Sequence, residues 1–512
     1  MAVVLDIRPF SDTLFMYGEA NSSSAFSLAG HVNISIPPTR SFLNRSRPTT
    51  RLLLRSLVIT FEGQSEVITP VTGYAPVRLC SVSQELIRGD PIELSNEGLE
   101  YSTSPCSWDA VFDIRVPGWL PVTSTYGDAD FEETGTRYAL YATATCVLLE
   151  DGPSSFSLFN LCAPFCSRSK TVDAPQCPVT VRRVVEPPAE PSGSFPLAMY
   201  VVDTQKELND MREGPSTTLF SVLEKIEVVA CTPTAISTGE TSLPFTLRLR
   251  AKDLTHSERE RLRVTEFSVD VKQVEVYRNT TSEDYAGGFP IPSQRHQPPN
   301  KPLRSHHPVH MLCTVDAFQT AQPLKSSVGR SFSLLRKNSS GRYVIGGDGR
   351  IFTNTNDPAS LLEWYILDVD IPIAIEPYEV DWAGPCVRRM TESSPLFSVR
   401  HTLSVSIQCA YDLLEKEPDC RRLHFSLPLQ QVCLLPPRPP SAGCHVSDAS
   451  SGETRLETSF AQSLPPYSQL FHQNGERKID FSTPLPLYRP PSIPVSQSPG
   501  PSTGSLKEDS SD

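Results

Sequence analysis

The chain has 512 residues, with 46 Lys and Arg against 58 Asp and Glu and a formal net charge of −12. That balance excludes a nucleic-acid binder with a broad basic surface. Hydrophobic residues make up 38%, and the 48 prolines are nearly twice the usual share, so folded domains are expected to be diluted by proline-rich loops and a tail.

The length suits two or three domains. The first stretch, MAVVLDIRPFSDTLFMYG, has no basic n-region and carries Asp6, Arg8 and Asp12 within its apolar run, unlike a secretory signal. No apolar run reaches the length of a transmembrane helix. The 13 cysteines are odd in number and lack CxxC pairs. Without an export signal they read as reduced intracellular thiols, and Asn33-Ile34-Ser35 and Asn279-Thr280-Thr281 as incidental matches to a glycosylation acceptor. A soluble cytoplasmic protein is expected.

Along the chain the apolar period is mostly two. In LVITFEG, Leu57, Ile59 and Phe61 point one way and Val58, Thr60 and Glu62 the other. RYALYATATCVLL reads as a strand with the small Ala142 and Ala144 on its inner face. KDLTHSERERLRVTEF carries charge on every helical face and reads as a solvated loop or a short helix. FSVDVKQVEVYR alternates through Phe267, Val269 and Val271, then shifts frame to Val274 and Val276, as a β-bulge would make it. In HTLSVSIQC, Leu403, Val405, Ile407 and Cys409 oppose Thr402, Ser404, Ser406 and Gln408. RRLHFSLPLQ repeats the pattern through Leu423, Phe425, Leu427 and Leu429. Such alternation marks strands with one buried and one wet face, and the Gly, Pro, Asn and Ser punctuation between them indicates antiparallel sandwiches. The class is all-β. One domain is placed at 1–180 and a second at 181–440, separated by the polar, proline-rich VVEPPAEPSGSFP. A long insertion near 279–310 lacks apolar periodicity and is expected to be mobile, and 441–512 is expected to be a disordered Pro/Ser-rich tail.

LAGHVNISI, RSLVITFEGQSEV, AVFDIRVPGWLPVTSTYG and RYALYATATC together resemble the arrestin N-domain, through Gly30, Phe61 with Gly63, Leu120-Pro121, and Tyr138 with Leu140 and Ala142. IEVVACTPTAISTGETSLPFTLRLRA, SVDVKQVEVYR, SPLFSVRHTLSVSIQ and RRLHFSLPLQQV are similar to the arrestin C-domain. The resemblance covers most of residues 5–435 and rests on order and spacing. It implies two arrestin-like, immunoglobulin-type β-sandwich domains joined by a short hinge, with no catalytic centre and no cofactor.

The tail narrows the resemblance. SFAQSLPPYSQLF and FSTPLPLYRPPS carry Leu464-Pro465-Pro466-Tyr467 and Leu485-Pro486-Leu487-Tyr488. This resembles the alpha-arrestins, adaptors that bring WW-domain, HECT-type ubiquitin ligases to integral membrane cargo through P-P-x-Y or L-P-x-Y. Leu stands where the stronger pattern has its first Pro. The resemblance implies ubiquitination and endocytic trafficking of cargo, peripheral membrane association, and transient recruitment to the plasma membrane or endosomes. Physically, a WW domain reads preformed polyproline II, with Pro in an aromatic groove and Tyr in a pocket beside it. A flexible spacer of this length spans about 25 Å, and two such ligands on tandem WW domains gain avidity on the order of 100-fold. Chance occurrence is the competing reading of each motif. An arrestin-fold scaffold, or a sorting-coat subunit acting without a ligase, is the alternative function.

Other features offer less. His306, His307, His310 and Cys313 in SHHPVHMLC have no second, spaced ligand pair, so no metal is expected. Cys162, Cys166 and Cys177 follow no metal or redox spacing. GGDGR at 346–350 reads as a turn rather than a phosphate loop. Ser333 and Ser339 each have a basic residue three positions before them, Arg330 and Arg336, a basophilic-kinase pattern that competes with an ordinary basic loop. No Ser/His/Asp or Cys/His arrangement can be assembled, and no enzyme is expected.

Overall fold

A computed structural model describes residues 3–37, 50–87, 89–98, 105–126, 134–149, 169–188, 195–204, 218–305, 307, 325–353, 364–374, 380–413 and 417–435. The chain divides into a unit of Met1–Pro437 and one of Arg438–Asp512. All the described residues lie in the first, which is all-β.

In chain order its first half contains β1 (Val4–Pro9), β2 (Thr13–Tyr17), β3 (Ala25–Ile36), β4 (Arg51–Thr69), β5 (Gly73–Glu85), β6 (Ile92–Ser95), β7 (Cys106–Pro117), β8 (Ser124–Thr125), β9 (Gly135–Leu149), β10 (Ser169–Asp173) and β11 (Cys177–Val184). A small sheet runs β1-β3-β7. A larger one runs β2-β11-β9-β4-β5, with β6 on β4 and β8 and β10 on β9. Alternate residues of the two sheets meet in one core: Leu28 and Val32 of β3, Phe112 and Ile114 of β7, and Leu57, Ile59 and Phe61 of β4. Ala142 and Ala144 lie there on β9, as the alternation predicts.

The second half contains β12 (Leu197–Val202), α1 (Thr218–Leu223), β13 (Ile226–Pro233), β14 (Ala235–Ser237), β15 (Ser242–Ala251), α2 (His256–Arg261), β16 (Leu262–Arg278), α3 (Glu283–Gly288), β17 (Ser327–Ser333), β18 (Arg342–Val344) and β19 (Tyr365–Pro372). It continues with β20 (Val380–Asp381), β21 (Gly384–Pro385), β22 (Glu392–Ser393), β23 (Phe397–Tyr411) and β24 (Asp419–Val432). One sheet runs β12-β13-β15-β19 and the other β14-β24-β23-β16-β17, with β18 on β16 and β22 on β23; β20 and β21 form a separate pair. Their core takes Val228, Leu247, Val269, Leu403, Val405 and Phe425. Each half is thus sandwich-like, with a core between two sheets. The short α2 is set by its cap: Thr255 and Glu258 exchange side-chain-to-backbone bonds in a capping box.

Three of the expectations change. The bulge in β16 lies between Val264 and Glu266, not after Val271. From Phe267 to Tyr277 the alternation is unbroken, and Gln273 and Glu275 occupy core-side positions that Val274 and Val276 were expected to take. The outer face of β4 is not wet where it was expected to be, since Thr60 and Glu62 are buried. The insertion expected to be mobile is, over the described residues 279–305, a packed segment. It contains α3, and its Tyr285 is buried against Trp119. It has no apolar period because it binds largely through its backbone carbonyls, which leave no trace in a hydrophobic pattern.

Residues separated in sequence converge on Tyr138. Its ring stacks on Phe61 with centroids 5.5 Å apart, and its hydroxyl donates to the Pro121 carbonyl at 2.6 Å. A Cβ on Gly63 would stand 2.5 Å from that ring, so the glycine makes room for the tyrosine. Gly30 is equally confined: a Cβ there would stand 2.5 Å from the Arg8 carbonyl oxygen.

Candidate functional site

The tail ligand residues Leu464, Pro465, Tyr467, Leu485, Pro486 and Tyr488 lie outside the described residues, as do His306, His310 and Cys313. Among the described residues no cluster of three or more His, Cys, Asp or Glu side chains is placed to hold a metal. The backbone N–H of His307 donates to Glu66 Oε1 at 2.9 Å.

The two serines singled out in the sequence separate by environment. Both line an open cavity of about 280 Å³, together with Phe332, Leu335, Arg336, Lys337 and Cys386. Ser333 ends β17 and donates to Asp270 Oδ1 at 2.6 Å. Its upstream Arg330 is buried in ion pairs, where no kinase reads it. Ser339 closes a turn, its N–H donating to the Arg336 carbonyl at 2.8 Å, and Arg336, Lys337 and Asn338 are exposed around it. The basophilic pattern is presented at Ser339.

A buried charged cluster gathers around Glu275, at a core-side position of β16 that the sequence did not suggest. Glu275, fully buried, receives Arg330 Nε at 2.8 Å on one carboxylate oxygen and Arg389 Nε at 3.2 Å on the other. Arg330 also bonds Asp381 Oδ1 and the Gly384 carbonyl, which ties the β20–β21 pair to the sheet. Tyr277 donates its hydroxyl to Glu275, and burial beside that carboxylate raises the Tyr277 pKa. Gln273 donates to Glu275 at 2.7 Å and accepts from the backbone N–H of Arg389 at 3.0 Å. Two arginines around one buried carboxylate satisfy its lone pairs, which is the condition for keeping an ion out of water.

The cluster also joins the two halves. Arg389 Nη1 donates to the Thr125 carbonyl at 2.9 Å. Next to it Tyr126 stacks on Phe397 at 4.2 Å, and Tyr126 also meets Tyr277 edge-on. Two titratable groups sit at its rim. The Glu392 carboxyl faces inward, with Oε2 closed off from water and unpartnered. Desolvation raises its pKa to about 7 against the opposing pull of Arg389. His401 is held between Thr391 and Gln273, at 2.9 and 3.0 Å, and desolvation with Arg388 nearby lowers its pKa to about 3. These groups form a polar junction between the halves. No family model matches this sequence, and no curated protein matches it.

Proposed function

We propose that this chain is a non-catalytic cytoplasmic adaptor of the alpha-arrestin kind, which links integral membrane cargo to a WW-domain, HECT-type ubiquitin ligase. The observation that carries this reading is the repeated Leu-Pro-x-Tyr at 464–467 and 485–488, downstream of a β-sandwich protein with two cores. The roles of Leu464, Pro465, Tyr467, Leu485, Pro486 and Tyr488 are those of a ligand. The sandwiches hold cargo, at the plasma membrane or on endosomes, and the tail delivers the ligase. The convergence of Phe61, Gly63, Pro121 and Tyr138 supports the arrestin-like part of the reading, because these are the residues on which the resemblance rests. Phosphorylation at Ser339 would add about two negative charges beside Arg336 and Lys337, a means of regulating the adaptor.

The test is capture of a tandem-WW ligase by the full chain and by a chain ending at residue 440. Capture by the full chain alone is the expected result. Equal capture by both, or by neither, favours a scaffold or coat subunit that works without the ligase.

A further inference from the structure

The outer face of the large first-half sheet carries Glu62, Gln64 and Glu66 on β4, Arg78 on β5 and Arg137 on β9. Except for the half-buried Arg137, all are buried, because the segment after α3 lies over them. Most of what they grip is backbone. The Arg78 guanidinium donates to the carbonyls of His296, Lys301 (3.1 Å) and Pro302 (2.6 Å). Gln64 and Arg137 both donate to the Ser305 carbonyl, the latter at 2.6 Å. Gln297 does the converse, clasping the Arg78 backbone with its amide: it accepts from N–H at 2.7 Å and donates to C=O at 2.8 Å. The two ends of the segment are anchored by side chains. Tyr285 and Phe289 pack on Trp119, and Arg304 lies 3.5 Å from Glu62 and over the Tyr141 ring.

We propose that this face is a peptide-binding site, occupied in cis by residues 283–305, and that its partner in trans is a proline-rich, basic peptide with an aromatic pair near its start. Three physical features support it. Carbonyl recognition does not depend on side-chain identity, and a proline-rich stretch such as QPPNKPL offers carbonyls without needing partners for as many N–H groups. The charges of the face are already paired among themselves, Arg78 with Glu62 at 3.2 Å and Arg137 with Glu66. Water can therefore replace the carbonyls without stranding a bare ion, so the site persists when the segment leaves. The four charges cancel, and the basic residue of the ligand is selected by Glu62 together with the π-face of Tyr141. The inference is independent of the tail and of any ligase.

A tethered segment has an effective concentration on the order of millimolar, so a free peptide at micromolar concentration does not displace it from the intact chain. The test uses the full chain and the variant Y285A/F289A/Q297A, which removes the aromatic anchors at one end of the segment, Tyr285 among them from the first-half core, and the Gln297 clasp, and keeps Arg304 and the side chains of the sheet face. The probe is a fluorescein-labelled synthetic peptide of residues 283–305, read by anisotropy. The variant should bind it saturably at one site, at least tenfold more tightly than the intact chain does. Adding Gln64→Ala and Arg137→Ala to the variant should weaken that binding about tenfold. A second variant, with 283–305 replaced by a Gly/Ser linker, should bind the peptide as well or better. Folded variants that bind no peptide overturn the proposal. So does failure of both variants to fold, since the segment is then a fixed part of the sandwich.

Discussion

Glu392 and His401 sit at the same polar junction and are perturbed in opposite senses, so their contributions to stability oppose each other with pH. For Glu392 the folded pKa of about 7 lies above the ordinary 4.5, so the folded state keeps a proton that the unfolded chain has lost between those values. Stability from this group is full below about pH 4.5 and falls as pH rises through 7. For His401 the folded pKa of about 3 lies below the ordinary 6.5, and its contribution is present above about pH 6.5 and lost as pH falls toward 3. The two slopes oppose each other between about pH 4.5 and 6.5. Urea titrations across that window should show that Glu392→Gln makes stability rise with pH, while His401→Gln makes it fall. Parallel shifts of both curves with no change of slope would contradict the assignment. Nearby, Arg330→Ala removes one of two cations from the buried Glu275. Breaking a buried pair by deleting one partner costs about 3–5 kcal/mol, and the midpoint of chemical unfolding reports it.

At the scale of elements, the strands were readable wherever both partners of the alternation kept their type. β23 and β24 bury Leu403, Val405, Ile407, Leu423 and Phe425 because the inner row is apolar over that stretch, with the polar His401 and Gln431 only at its ends. β16 misleads for a physical reason. Gln273 and Glu275 are polar residues at core positions, so the eye moves the apolar row to Val274 and Val276 and infers a bulge. What makes Glu275 tolerable inside is Arg330, 55 residues further along, and no local pattern records such a partner. The 279–305 segment was misread likewise, since it binds by carbonyls gripped from strands more than 150 residues away. The tail motifs at 464–467 and 485–488 lie outside the described residues, and their reading as ligands rests on four contiguous residues each. For α2 the sequence shows charge on every face, and the structure adds the capping box of Thr255 and Glu258. Thr255→Ala removes the hydroxyl that accepts from the Glu258 N–H, and such a loss costs about 1 kcal/mol. Unchanged thermal stability in that variant would mean that α2 is held instead by the Lys225–Glu258 ion pair.

At the scale of the molecule, the halves of the first unit share material. The first-half core includes Tyr277, Leu396, Phe397 and Val399 from the second half, and Tyr126 from the first stacks among them. No helix of the described residues is long and apolar enough to cross a membrane. The account depends most directly on Tyr467 and Tyr488. Loss of an aromatic anchor from a small pocket costs on the order of 2 kcal/mol, roughly thirtyfold in affinity. The deciding measurement is calorimetric titration of the full chain, each Tyr→Ala variant and the double variant with a tandem WW-domain pair. The account predicts that Tyr467→Ala and Tyr488→Ala each reduce binding to that of one site, and that together they abolish it. A double variant that binds as tightly as the unaltered chain would contradict it.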